Sequence, residues 1–312
     1  MDMKNPELTL VADGLRFPEG PVWLKNGSIA LVEIERRTVS LVSPDGKVEV
    51  ISQHTGGPNG LAVGPDGAFY VCNSGGFDWE DIDGLLIPVS QAKDYSGGRI
   101  ERVDPATGKI SVLYDSCDGH PLRGPNDLVF DPHGGFYFTD LGKVRKRDRD
   151  NGGLYYAKAD GSKIVEVAHP VSGPNGCGLS PDGKTFYAVE LEPSRLWAYE
   201  IISPGVVKKT SFPHSLNGGR LVCGLPGFQG FDSLAVDSAG RICVGTIWDK
   251  PQITVISPAG EVVREVPMPE AIPTNICFGG SNYETAFITL SGTGKLVSIK
   301  WDVPGLRLNY EI

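Results

Sequence analysis

Short apolar runs alternate with polar positions along almost the whole chain, and tight turns break them every few residues. The stretch "GPNGLAVGPDGAFYV", from Gly57, is typical. A polar residue precedes about five mostly apolar residues, Pro-Asp-Gly supplies tight-turn chemistry, and a second β-rich run follows. That pattern predicts a hairpin. A period near 3.6 is nearly absent, so few helices are expected.

The same unit recurs. "GPNDLVFDPHGGFYF" starts at Gly124, "GPNGCGLSPDGKTFYAV" at Gly173 and "GFDSLAVDSAGRICV" at Gly230. A degenerate copy starts at Ile272, and a first copy starts at Phe17 with Glu in the key place. The leading polar residues are Glu19, Asn59, Asn126, Asn175, Asp232 and Asn275. Each unit continues into further alternating runs, such as "GGRIERVD" and "KISVLYD". Six units of about four strands predict an all-β fold, a six-bladed β-propeller with a central channel. A pair of β-sandwiches would explain the strands but not the six-fold recurrence. The expected organisation is one domain over 1–312, with blades starting near 17, 57, 124, 173, 230 and 272. Residues 8–15 are expected to pair with the last blade around 295–302. The excess between blades two and three contains 77–98, which reads as a lid or rim over one face. A second excess lies at 215–230.

Composition narrows the functional classes. The chain has 312 residues, 40% of them hydrophobic, enough for a large core. A net charge of -9 argues against nucleic acid or anionic lipid as partner. No stretch approaches the roughly 18 apolar residues of a membrane span. The N-terminal "MDMKNPELTLVADGL" has no apolar core of a secretory signal, which points to the cytoplasm. Six cysteines without a Cys-x-x-Cys pair then read as free thiols. Cys177 and Cys277 occupy a place held by Leu61, Leu128 and Leu234 in other units, so they read as core residues.

A propeller brings equivalent residues of its blades to one end of the channel. Any single Asn or Asp before a strand is best read as a turn cap. Six side-chain oxygens in register, one of them from Glu, ask for more. Carboxylate and amide oxygens without His or Cys describe a site for a hard cation such as calcium. Oxygen sites exchange metals, so Zn2+, Mn2+ and Fe2+ remain alternatives.

Four motifs in order carry a resemblance: "FPEGPVW", "PND" in the third unit, "GPNG" in the fourth and "GFDSLAVD" in the fifth. With them the whole chain resembles the regucalcin/gluconolactonase family. The resemblance implies an axial divalent cation, usually calcium, held by Glu19, Asn126, Asn175 and Asp232. It implies hydrolysis of a small-molecule lactone with Asp232 as general base. Asn126 is implied to contact substrate as well, and Asn59 is placed as a channel-lining substrate contact. Arg123, in "HPLRGPND", could clamp a substrate carboxylate, but its offset from Asn126 differs by one from the family pattern. His120 reads as an exposed loop residue. Asp140 is the one carboxylate candidate within its strand, and "KVRKRDRD" after it reads as a solvated loop. Phe77, Trp79 and Trp248 are candidate apolar walls of the mouth. Two other readings fit the same oxygens: a phosphotriesterase or other esterase, and a non-catalytic cation-binding propeller. The sequence is silent on oligomeric state.

Overall fold

A computed structural model describes residues 7–312 and contains strands, turns and no helix among them. Six antiparallel sheets form the blades of a β-propeller. Blade one consists of Pro18–Trp23, Ile29–Glu33, Thr38–Val42 and Val48–Gln53. The innermost strands of the other blades are Pro58–Val63, Pro125–Phe130, Pro174–Leu179, Gln229–Val236 and Pro273–Gly279. The fourth place in blade six is filled by Thr9–Ala12, which pairs with Lys295–Lys300. First and last strands therefore share one sheet, and the ring has no open edge between its ends.

The inner strands are almost wholly buried because both faces pack against neighbouring blades. Glycine makes that packing close enough. A Cβ on Gly60 would come 2.5 Å from the Asn126 carbonyl oxygen of the next blade, and one on Gly176 would come 2.5 Å from Ser233 Cα. This explains why Gly follows the key Asn in "GPNG": the blades touch there, backbone to backbone.

Each inner strand is bulged at or beside the key position. In blades two to five the ladder skips by one residue between Pro58 and Leu61, Pro125 and Leu128, Pro174 and Cys177, and Phe231 and Leu234. A bulge re-aims side chains locally. Here it sits at Asn59, Asn126, Asn175 and Asp232, the residues beside the channel. In blade six the irregularity falls one residue earlier, at Thr274, and Asn275 lies in regular register with Thr289.

The two long units resolve differently. Residues 77–98 lie inside blade two, between its second and third strands, rather than between two blades. They form the hairpin Phe77–Ile82 with Leu85–Gln91, followed by a turn. This hairpin passes blade one, where the Trp79 ring lies 5.0 Å from Phe17, and reaches blade six, where Leu86 N–H donates to Gly292 O at 2.9 Å. Both contacts lie at the end of the ring that carries Glu19. The excess near 215–230 supplies Arg220–Gly224, an extra strand on the third strand of blade four.

Candidate functional site

Glu19, Asn59, Asn126 and Asn175 are buried, and Asp232 alone of the five keeps part of its surface accessible. The Asn275 side-chain amide, Nδ2, donates to Glu19 Oε2 at 2.8 Å, and Gly20 N–H donates to the same oxygen at 2.8 Å. Ser233 Oγ donates to Asn175 Oδ1 at 3.4 Å, and Asn175 also hydrogen-bonds the Asp232 carboxylate. Blades one and six thus orient Glu19, and blades four and five orient Asp232. Asn126 Oδ1 is buried with no hydrogen-bond partner among the described residues.

Burial pushes the Glu19 carboxyl above its ordinary range, and its hydrogen bonds to Thr274, Asn275 and Gly20 offset this in part. Asp232 is pushed up further, first by desolvation and then by the negative charge of Glu19. A third carboxyl joins them. Asp127 is buried and raised to about 7 by desolvation. Its oxygens accept N–H groups from Leu128 at 2.9 Å and Cys177 at 3.0 Å, so it ties blade three to blade four. The sequence reading passed over Asp127. Its signal was that this unit carries a charge where Gly20, Gly60, Gly176 and Ser233 stand in others.

These groups fit a hard cation. Glu19, Asp127 and Asp232 repel one another, and no cationic side chain perturbs any of them. An amide oxygen, Asn126 Oδ1, is left over. No group of three or more His, Cys, Asp or Glu side chains among the described residues forms a metal cluster. The Asp127 oxygens already accept backbone N–H groups, which leaves Glu19, Asp232 and the amides as the candidate donors.

Other residues singled out in the sequence take different places. The Arg123 guanidinium lies at the rim, 3.3 Å from Asp150, with its side chain 42% exposed. His120 is exposed, in a two-residue pairing with Cys117. Asp140 is fully engaged by the backbone: Arg123 and Gly124 N–H donate at 2.7 Å each, and Gly142 N–H at 2.9 Å. Its carboxylate is committed to holding this loop.

That arrangement repeats. Glu33, Asn73, Asp140 and Glu190 each stand opposite the proline of the inner strand, Pro18, Pro58, Pro125 and Pro174. Proline cannot donate to the ladder. The facing side chain instead collects the N–H of a residue just before it: Arg16, Gly57, Gly124 and Ser172. These clamps fix the entry to every key residue in blades one to four.

The expectation of a solvated loop fails at Lys143. It is buried, its Nζ donates to Gly76 O at 2.9 Å, and it lies 3.6 Å from the centre of the Phe77 ring. Burial lowers its amine to about 7. The carbonyl and the ring face hold the ammonium at the root of the hairpin. Trp248, with φ of 79°, stacks on Phe228 at 4.7 Å and packs over Gly230, two residues before Asp232 in the chain. Cys177 and Cys277 are buried, as expected.

Comparison with known proteins agrees with this fold. Residues 17–292 match the model of the SMP-30/Gluconolactonase/LRE-like region. A gluconolactonase of Zymomonas mobilis is 26% identical, over 93% of this chain and 80% of its own length. Lactonase drp35 of Staphylococcus saprophyticus is 28% identical, over 85% of this chain and 74% of its own. The structure of regucalcin from Agrobacterium tumefaciens, described as a calcium-binding protein, superposes with a TM-score of 0.71 at 19% identity, covering 96% of this chain and 99% of that one.

Proposed function

Because the chain belongs to the SMP-30/gluconolactonase/LRE-like family, we propose that it is a hydrolase that opens lactone rings with the help of a divalent cation. The observation that carries this reading is the meeting of two carboxylates from different blades, Glu19 and Asp232, with the unpartnered Asn126 Oδ1. Relatives named gluconolactonase and lactonase supply the reaction class.

Glu19, Asn126, Asn175 and Asp232 would hold the cation, and the all-oxygen set favours calcium. When bound, the cation supplies Lewis acidity toward the lactone carbonyl and the positive charge that lets both carboxylates ionise. The rest of the chemistry belongs to the chain. Asp232 has accessible surface and is oriented by Asn175, so it can take the proton of an attacking water. The water oxygen adds to the carbonyl carbon, and the ring C–O bond breaks. The departing alkoxide takes the proton back from Asp232, leaving a hydroxy acid. Glu19 is aimed by Asn275 Nδ2 and Gly20 N–H, whose hydrogen bonds favour its anionic form. Asn126 and Asn59 are placed to contact substrate from blades three and two. Arg123 is a rim contact, since Asp150 holds its guanidinium outward.

The test is a pH-indicator assay on sugar lactones, aryl lactones and a fluorophosphate, with chelator and then calcium. Turnover lost on chelation and restored by calcium is expected. No turnover, with melting still raised by calcium, would overturn the enzyme in favour of a cation-binding propeller.

A further inference from the structure

We propose that the channel beneath the oxygen set is a separate binding site, one for a small uncharged apolar molecule of one or two rings. This goes beyond the lactonase reading and does not depend on it. A cavity of about 260 Å3 lies inside the ring. Gly20, Asp127 and Asn275 form its ceiling, directly under Glu19 and Asn126. Its walls are the lower halves of the inner strands, including Leu61, Val63, Leu128, Leu179, Leu234 and Val236. Residues 306–311 form its floor.

Two observations point to an apolar occupant, although Ser180, Asp182 and Asn309 also reach the lining toward the floor. First, the polar groups of the ceiling already have partners. Asp127 accepts two backbone N–H groups. Asn275 Oδ1 accepts Ile276 N–H at 2.8 Å, and its Nδ2 donates to Glu19. A buried water needs two to four polar partners, and an apolar cavity of roughly 150 Å3 in another protein stays dry and takes up benzene. The present cavity is larger. Second, the floor is built and not incidental. Leu306 N–H donates to Val236 O at 3.0 Å, Asn309 Nδ2 donates to Phe130 O at 2.7 Å, and the Tyr310 ring meets Phe130 edge-on at 5.6 Å. Lys25 N–H then donates to Ile312 O at 2.7 Å. The tail crosses from blade five to blade three to blade one, closing the channel at the end away from the hairpin.

Benzene and naphthalene are the probes, and thermal unfolding of the intact chain is the readout. A saturable rise of about 2 °C is expected at roughly ten times the dissociation constant. The rise should be the same size in chelator and in Asp232→Asn, and it should vanish in Val63→Phe and in Leu234→Phe. Diffraction from xenon-pressurised crystals of the unaltered protein gives a check that needs no variant: xenon should appear between Leu128 and Leu234. Ordered water filling the channel in place of xenon would overturn the proposal. So would a rise that survives both filling variants, or one that disappears in Asp232→Asn and so belongs to the mouth.

Discussion

Glu19 and Asp232 show how a repeated position becomes a site. Each alone is a residue before a strand, but together they are two carboxylates, one buried and one half-buried, with no counter-charge of their own. Their raised proton affinity has a definite sign in stability. Without cation, folding binds protons at these groups, so their penalty is largest at neutral pH and eases as pH falls toward the ordinary carboxylate range. Glu19→Gln removes one of the two charges while keeping an acceptor for Asn275. In chelator at pH 7 it should melt above the unaltered protein, and in calcium below it. A Glu19→Gln variant that melts lower in both conditions would deny the cation its place. Asp232→Asn keeps the shape but not the base, and turnover should fall by roughly 10²–10⁴-fold. An unchanged rate would assign the proton transfer elsewhere. The residues of this site were legible because the same place is used in blade after blade. Asp127 was not, since its role is set by Cys177 N–H on the next blade, fifty positions on in the chain.

The element that matters most for placing the site is the short loop entering each inner strand. Proline opposite a carboxylate or amide makes it rigid, and the bulge that follows turns the key side chain toward the channel. Removing the Asp140 side chain with Asp140→Ala would strand three backbone N–H groups, each costing about 1–3 kcal/mol. Urea unfolding should show that loss, with a parallel fall in turnover as Asn126 loses its fixed approach. Equal stability would mean that water replaces the carboxylate. Such clamps escaped the sequence because Glu, Asn and Asp serve alike and the meaning lies in the proline across the ladder. The hairpin at 77–91 was legible as a long insertion but not as part of blade two. Its anchor Lys143 was hidden in a run of surface charge, because Gly76 and Phe77 that bury it lie far back in the chain. The lowered amine again fixes a sign. Its burial weakens the fold at and below pH 7, and the penalty fades as pH rises from about 7 toward the ordinary lysine value. Lys143→Met should therefore melt higher than the unaltered protein at pH 6, with the advantage shrinking by pH 9.5. A pH-independent difference would exclude a titrating ammonium there.

At the scale of the whole molecule, the six sheets hold one another only as a ring. The ladder between Thr9–Ala12 and Lys295–Lys300 is the seam. Deleting residues 1–12 exposes the edge of Lys295–Lys300 and should lower Tm by roughly 5 °C or more. Adding a synthetic 7–15 peptide should recover part of the loss. Unaltered melting in the deletion would make the first strand an ornament. The number of blades and the closure were readable from six copies of one hairpin. The strap at 306–311 was not, because its register depends on Val236, Phe130 and Lys25 from three different blades.

The seam also sets a clock during synthesis. Leu10 leaves the ribosome long before its partner Val297. At about 5–20 residues per second the first strand waits roughly 15–60 s for its mate. During that interval five blades can form in order, but the sixth cannot. Glu19 and Asn275, which hydrogen-bond across the same junction, are the last pair of the oxygen set to meet. On the proposed ligand set, Glu19 is not held in place until Asn275 has been made, so cation loading would wait for blade six.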